Sequence, residues 1–180
     1  MTHDTPAALA APATLAVPMK SRWLLVSLAV LVLDQWTKWL VERHLPEHLL
    51  QPLVPGLVNL TNVRNTGVAF GLFASAGHLP TTLLLAGLSL AAFVVVGLYF
   101  WKTPAQHRLL LFALALVLGG AVGNLLDRVM SGAVTDFIDV YWRTHHWPSF
   151  NVADSAITVG LVIMALESLW PRRAPDPATA

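Results

Sequence analysis

Asp136 and Asp154 are acidic residues with no basic neighbour in their own stretch of sequence. Two carboxylates brought together in a partly dry site cannot both ionise cheaply, so one keeps a proton while the other takes one from water. That arrangement hydrolyses an amide without a metal or a covalent intermediate. Spacing alone argues weakly for it, because acidic residues 18 apart are commonplace. The question is whether the chain brings the two to one place.

The elements that must do so are read from hydropathy. At 180 residues with 56% apolar and only 12% charged content, the chain carries far more apolar surface than a soluble core of this size needs, which points to a membrane protein. A window of about 19 residues picks out spans at 23–40, 79–100, 109–126 and 153–170, each close to the length of a membrane-crossing helix. Residues 1–21, rich in Ala, Pro and Thr with no apolar core, read as a disordered tail and not as a cleavable signal peptide. Residues 22–170 form the membrane domain and 171–180 a second tail. The formal net charge is +1 with no long basic run, which sets nucleic acid aside as a partner. There is no cysteine, hence no disulfide, thiolate zinc site or cysteine nucleophile.

Lys20, Arg22, Lys102, Arg108, Arg172 and Arg173 flank one side of the spans and are almost free of acidic residues. On the other side, Arg43, Arg64, Arg128 and Arg143 are mixed with Glu42, Glu47, Asp127, Asp136 and Asp139. The positive-inside tendency then puts both termini in the cytoplasm and segments 45–78 and 127–152 outside.

With that orientation the polar groups converge on the outer face. Asp34 and Lys38 share a face of the first span, Asn124, Asp127 and Arg128 close the third, and Asp154 opens the fourth. A lone charge at a helix centre costs roughly 2.5 to 3.5 kcal/mol on insertion scales, so the cluster needs a reason. A structural reason is available for four of these residues: Asp34 with Lys38, and Asp127 with Arg128, as ion pairs holding helices in register. Asp136 and Asp154 are left for a functional role. Segment 134–140 alternates, with Val134, Asp136, Ile138 and Val140 on one side and Thr135, Phe137 and Asp139 on the other. Asp136 is expected to face the membrane core and to be the partner of Asp154, with Asp139 a solvated loop residue. Segment 45–78 reads as a small cap, with an alternating run over 57–63 and a turn at Asn65, Thr66 and Gly67. Within it Phe70, Leu72 and Phe73 either pack the cap or dip into the headgroups.

Four blocks in order resemble the bacterial lipoprotein signal peptidases, or signal peptidase II. They are Asp34 to Lys38; Asn62, Arg64, Asn65, Gly67, Ala69 and Phe70; Gly119, Gly120, Gly123, Asn124, Asp127 and Arg128 running on to Asp136, Phe137 and Asp139; and Phe150, Asn151, Ala153 and Asp154. The resemblance implies four transmembrane helices with a small β-containing periplasmic cap in the bacterial inner membrane, and no cofactor or metal. It implies Asp136 and Asp154 as a catalytic aspartate pair, with Asp34, Lys38, Asn65, Asn124, Arg128 and Asn151 lining or bracing the substrate site. It further implies a diacylglyceryl-modified prolipoprotein substrate, cut on the amino side of its lipidated cysteine, membrane lipids as surroundings, and globomycin-like inhibitors. Buried asparagines serve equally well as glue between helices.

Two other readings compete. His44, Glu47 and His48 match an inverted zinc-peptidase pattern, but Pro46 between the histidines disrupts the helical face that such a site needs. His145 and His146 read as an exposed loop pair. A proton-coupled carrier would use Asp34, Asp127 and Asp154 as relays, but carriers place their sites near the midplane between repeats, and no convincing repeat is present here.

Overall fold

The computed structural model describes residues 20–67 and 78–169. Four helices carry the spans: α1 (Leu24–His44), entered through a short 3-10 turn at Ser21–Trp23; α2 (His78–Lys102); α3 (Arg108–Ser131); and α4 (Val152–Leu169). All four are long and apolar enough to cross a membrane. The tails at 1–19 and 170–180, and with them Phe70, Leu72 and Phe73, lie outside the described residues.

The helix α3 is the axis of the bundle: 72% of its span is buried, against 17% for α1, 6% for α2 and 17% for α4. The other three pack on it and turn their remaining surfaces outward. Its small residues permit this. A Cβ on Gly119 would stand 2.6 Å from the Ser27 carbonyl of α1, and one on Gly120 would collide with the Ala153 carbonyl of α4. Where α1 and α3 touch, the Ser27 hydroxyl donates to the Ala115 carbonyl at 2.8 Å. At the end where α2 stops and α3 starts, Phe100, Leu110, Leu111, Leu114, Ala115 and Leu118 form an apolar core against which Trp23 and Phe93 pack.

At the other end the connections fold into an antiparallel sheet of order β1-β2-β3-β4, with β1 Gln51–Val54, β2 Val58–Asn65, β3 Val134–Trp142 and β4 His145–His146. The alternating runs at 57–63 and 134–140 are β2 and β3. The sequence does not predict that they pair with each other, placing Val63 opposite Asp136 and Asn65 opposite Val134. The cap is therefore built from both the α1–α2 and the α3–α4 connections. The predicted turn is present: Asn65 Oδ1 accepts from the Gly67 N–H at 2.8 Å, and Gly67 has φ 86, a backbone that glycine adopts without a Cβ clash. Gly132 ends α3 in a left-handed conformation, φ 74, with its N–H on the Arg128 carbonyl, and turns the chain directly into β3.

Candidate active site

The start of α4 sets the geometry. Asn151 caps the helix, its Oδ1 accepting from the Asp154 N–H at 2.9 Å, while the Asp154 Oδ2 accepts from the Asn151 N–H at 3.3 Å. This is a capping box in which Asn and Asp fill the two roles. The next free N–H, that of Ala153, is satisfied from another helix: Asp34 Oδ1 on α1 accepts it at 2.9 Å. Gly123 permits this approach, because a Cβ there would meet Asp34 Oδ2 at 2.6 Å.

Asn151 then joins the two aspartates. Its Nδ2 donates to Asp136 Oδ1 at 2.8 Å, and Asn65, diagonal to Asp136 across the β2–β3 ladder, donates to Oδ2 at 2.9 Å. Asp154 Oδ1 accepts from Asn124 Nδ2 at 2.7 Å. The orientation of Asn124 is fixed in turn, since its Oδ1 accepts from Lys38 Nζ at 3.1 Å and from Asn151 at 3.2 Å. Of the residues that the resemblance assigned to the substrate site, Asp34, Lys38, Asn65, Asn124 and Asn151 thus enter one hydrogen-bonded network with the two aspartates through their side chains. Arg128 joins through the backbone, its Nη1 donating to the Asn124 carbonyl at 3.1 Å and also to Ser89 on α2 at 3.4 Å.

Lys38 is the cation of the layer beneath. Buried, it pairs with Asp34 Oδ2 and Asp127 Oδ2, both at 2.7 Å. Gln35, which the sequence reading did not single out, completes the layer by donating to Asp127 Oδ1 at 2.8 Å and to the Gly123 carbonyl at 3.3 Å. Its signal was its place beside Asp34 in an apolar span. Asp34 is wholly buried and holds the start of α4 through the Ala153 N–H.

Three expectations need correction, and a fourth, that Pro46 denies the zinc pattern its helical face, agrees with the structure. Asp127 pairs with Lys38 and not with Arg128, because consecutive helical residues diverge by about 100° and do not face each other. Asp139 is not solvated: at 4% exposure it accepts from Asn59 at 2.8 Å and from the His146 ring at 2.8 Å. Although exposed, His145 and His146 form a strand and not a loop, paired with Trp142 and Tyr141. The helical face required by the zinc pattern does not exist, since α1 ends at His44 and His48 sits at φ 62.

The two aspartates differ in surroundings. Asp136 is 2% exposed. Burial pushes its carboxyl up to about 6, with the nearby negative charge of Asp154 adding to the rise and the Asn65 and Asn151 amides opposing it. Asp154 is half-buried and opens onto a cleft of about 440 Å³ lined by Trp147, Ser149, Phe150, Thr158 and Val159.

Four spanning helices and a small sheet over a polar layer define the class, a multi-pass membrane protein. Its fold is that of a solved bacterial membrane enzyme, determined by the in meso method at 1.9 Å, with TM-score 0.72 and 27% identity over 83% of this chain and 93% of that one. The family model for signal peptidase (SPase) II matches residues 26–170. The lipoprotein signal peptidase of Geobacter metallireducens is 44% identical over 83% of this chain and 91% of its own, and that of Desulforapulum autotrophicum is 46% identical over 86% and 95%. The chain belongs to the signal peptidase II family, and is a peptidase of the bacterial membrane.

Proposed function

We propose that the protein removes the signal peptide from diacylglyceryl-modified prolipoproteins by an aspartic mechanism, cutting on the amino side of the lipidated cysteine. The observation that carries the mechanism is the single asparagine, Asn151, bonded to both Asp136 and Asp154. Asp136, whose burial holds its proton above the ordinary carboxylate range, polarises the scissile carbonyl. Asp154, at a helix N-terminus where negative charge is favoured, takes the proton from the attacking water. The proton then passes to the leaving amine, and Asp136 and Asp154 return to sharing one. No metal and no acyl-enzyme enters the scheme.

Asn65, Asn124 and Asn151 keep the two carboxylates apart and oriented and offer amides to the extended cleavage segment, since backbone groups in a water-poor site need partners. Arg128, in reach of the same layer, steadies charge that develops there, and Asp34 with Lys38 holds the frame. The signal-peptide helix enters sideways from the bilayer. The site faces outward and both termini lie in the cytoplasm. Globomycin-like compounds compete with the substrate. Incubating purified protein with a diacylglyceryl-modified precursor tests this reading. A mass shift at the lipidated cysteine, blocked by globomycin, is expected; cleavage of unlipidated precursor at an equal rate would contradict it.

A further inference from the structure

The carboxylate of Asp139, 4% exposed, is nearly as buried as that of Asp136 yet points away from it, and the chemistry above leaves it without a task. We propose that Asp139 is a positioning residue: by holding Asn59 of β2 and His146 of β4 at once, it fixes the returning chain that carries Asn151 and Asp154 against the strand that carries Asp136. The inference rests on those two aspartates being the reacting pair.

The return needs such a tie. After β3 the chain reverses through Arg143, at φ 56, into a strand only two residues long, and pairing that short is marginal by itself. Beyond it Trp147 donates to the Val140 carbonyl at 2.8 Å and Pro148 has no N–H to give, so the ladder resumes only at Phe150, which donates to the Ile138 carbonyl at 3.1 Å and accepts from the Ile138 and Phe137 N–H groups at 2.9 and 3.1 Å. Side chains add a tie at the β4 end, where the backbone pairing is shortest. Asp139 Oδ2 accepts from Asn59 at 2.8 Å, and both of its oxygens lie within 3.0 Å of His146 Nδ1. The His146 ring stacks on Tyr141 with centroids 5.2 Å apart, and the Tyr141 hydroxyl accepts from the Gly56 N–H at the β1–β2 turn.

Immediately after Phe150 comes Asn151, bonded to both Asp136 and Asp154. Side chains alternate along a strand, so a slip of one residue in the return would turn Asn151 away from Asp136. The register that Asp139 secures together with the Phe150–Ile138 bridge is thus the register that sets Asn151 between the two aspartates.

A purely structural role and a positioning role part company in the pH profile. Asp136 is faced by Asp154 from α4, Lys38 from α1 and Arg128 from α3; only the first depends on the return. Loosening the return carries the Asp154 charge away and admits water; these two effects are larger than the loss of the Asn151 amide that goes with them, and they let Asp136 ionise at lower pH.

The experiment compares full-length, detergent-purified wild type with Asp139→Asn, His146→Ala, His146→Gln and Asp136→Asn, using a diacylglyceryl-modified precursor. Asp139→Asn and His146→Ala are expected to lose on the order of 10-fold in kcat, with the basic limb of the rate profile moved to lower pH. His146→Gln, whose amide N–H still reaches Asp139, should recover most of the wild-type rate. His146 is half-exposed, so its variants report even if Asp139→Asn folds poorly. If both variants lower only the yield or the melting midpoint, leaving kcat and the profile of the folded enzyme unchanged beside an inert Asp136→Asn, the positioning role is overturned. An active Asp136→Asn would remove the dyad, and the inference with it.

Discussion

The two ends of α3 are packed by opposite means. At the end where α2 stops, Phe100, Leu111 and Leu114 are fully buried in an apolar core, and contact there depends on shape. At the sheet end the same helix presents Asn124, Asp127 and Arg128 to Lys38, Asp154 and Ser89, and contact depends on hydrogen-bond partners matching one for one. Apolar packing tolerates small changes at graded cost. A buried polar network does not, because removing one member leaves the others unpaired. The bundle keeps its adaptable packing away from the proposed site and places its exacting contacts around the two carboxylates proposed to react.

Lesions at the sheet end should therefore break activity first. Asp136→Asn and Asp154→Asn are each expected to lower cleavage on the order of 10⁴-fold or more, the protein remaining inserted and monodisperse; residual activity within 10-fold of wild type at either position would contradict their assignment. Lys38→Met strands Asp34 and Asp127 as buried acids with no cation, with an expected loss of about 3 to 5 kcal/mol of stability that denaturant unfolding would read. Leu114→Ala, at the other end, should cost about 2 to 5 kcal/mol through a cavity, while the pH profile of the folded fraction stays where it was. If the profile moved with Leu114→Ala, the two ends would not be separable. The smallest effect expected is none: cleavage in strong chelator should equal that without it, and loss restored by zinc would revive the metal reading.

Much of this was legible in the chain because the bilayer simplifies it. Long apolar runs could only be spans, and charges inside them had to have partners or purposes, so the polar face was readable from Asp34, Lys38, Asn124 and Asp154. What escaped the sequence was pairing between distant segments. Nothing local says that β2 lies beside β3, so Asn59 and Asp139 could not be seen to touch, nor could His146 be told from a solvated loop histidine. Asp127 was given the wrong cation because its neighbour in sequence, Arg128, was favoured over Lys38, which only the packing of α1 on α3 brings within reach. The strand β1 went unread since Pro52 argues against a strand; it survives because β1 is the edge strand.

The claim at the centre of the account is that Asp136 and Asp154 work with one proton between them, and the pH dependence of kcat/KM tests it most directly. Burial raises Asp136 from 3.8 to about 6, so below that pH it keeps the proton it must lend to the carbonyl, and above it the proton is lost. The rate should fall on the acid side as the base is protonated and on the alkaline side as Asp136 ionises. In kcat, a bound lipidated substrate excludes water and should move the alkaline limb higher still. A bell-shaped profile on enzyme checked for folding at each pH is the predicted result; a rate that stays flat well into the alkaline range, with no limb attributable to either aspartate, would contradict it.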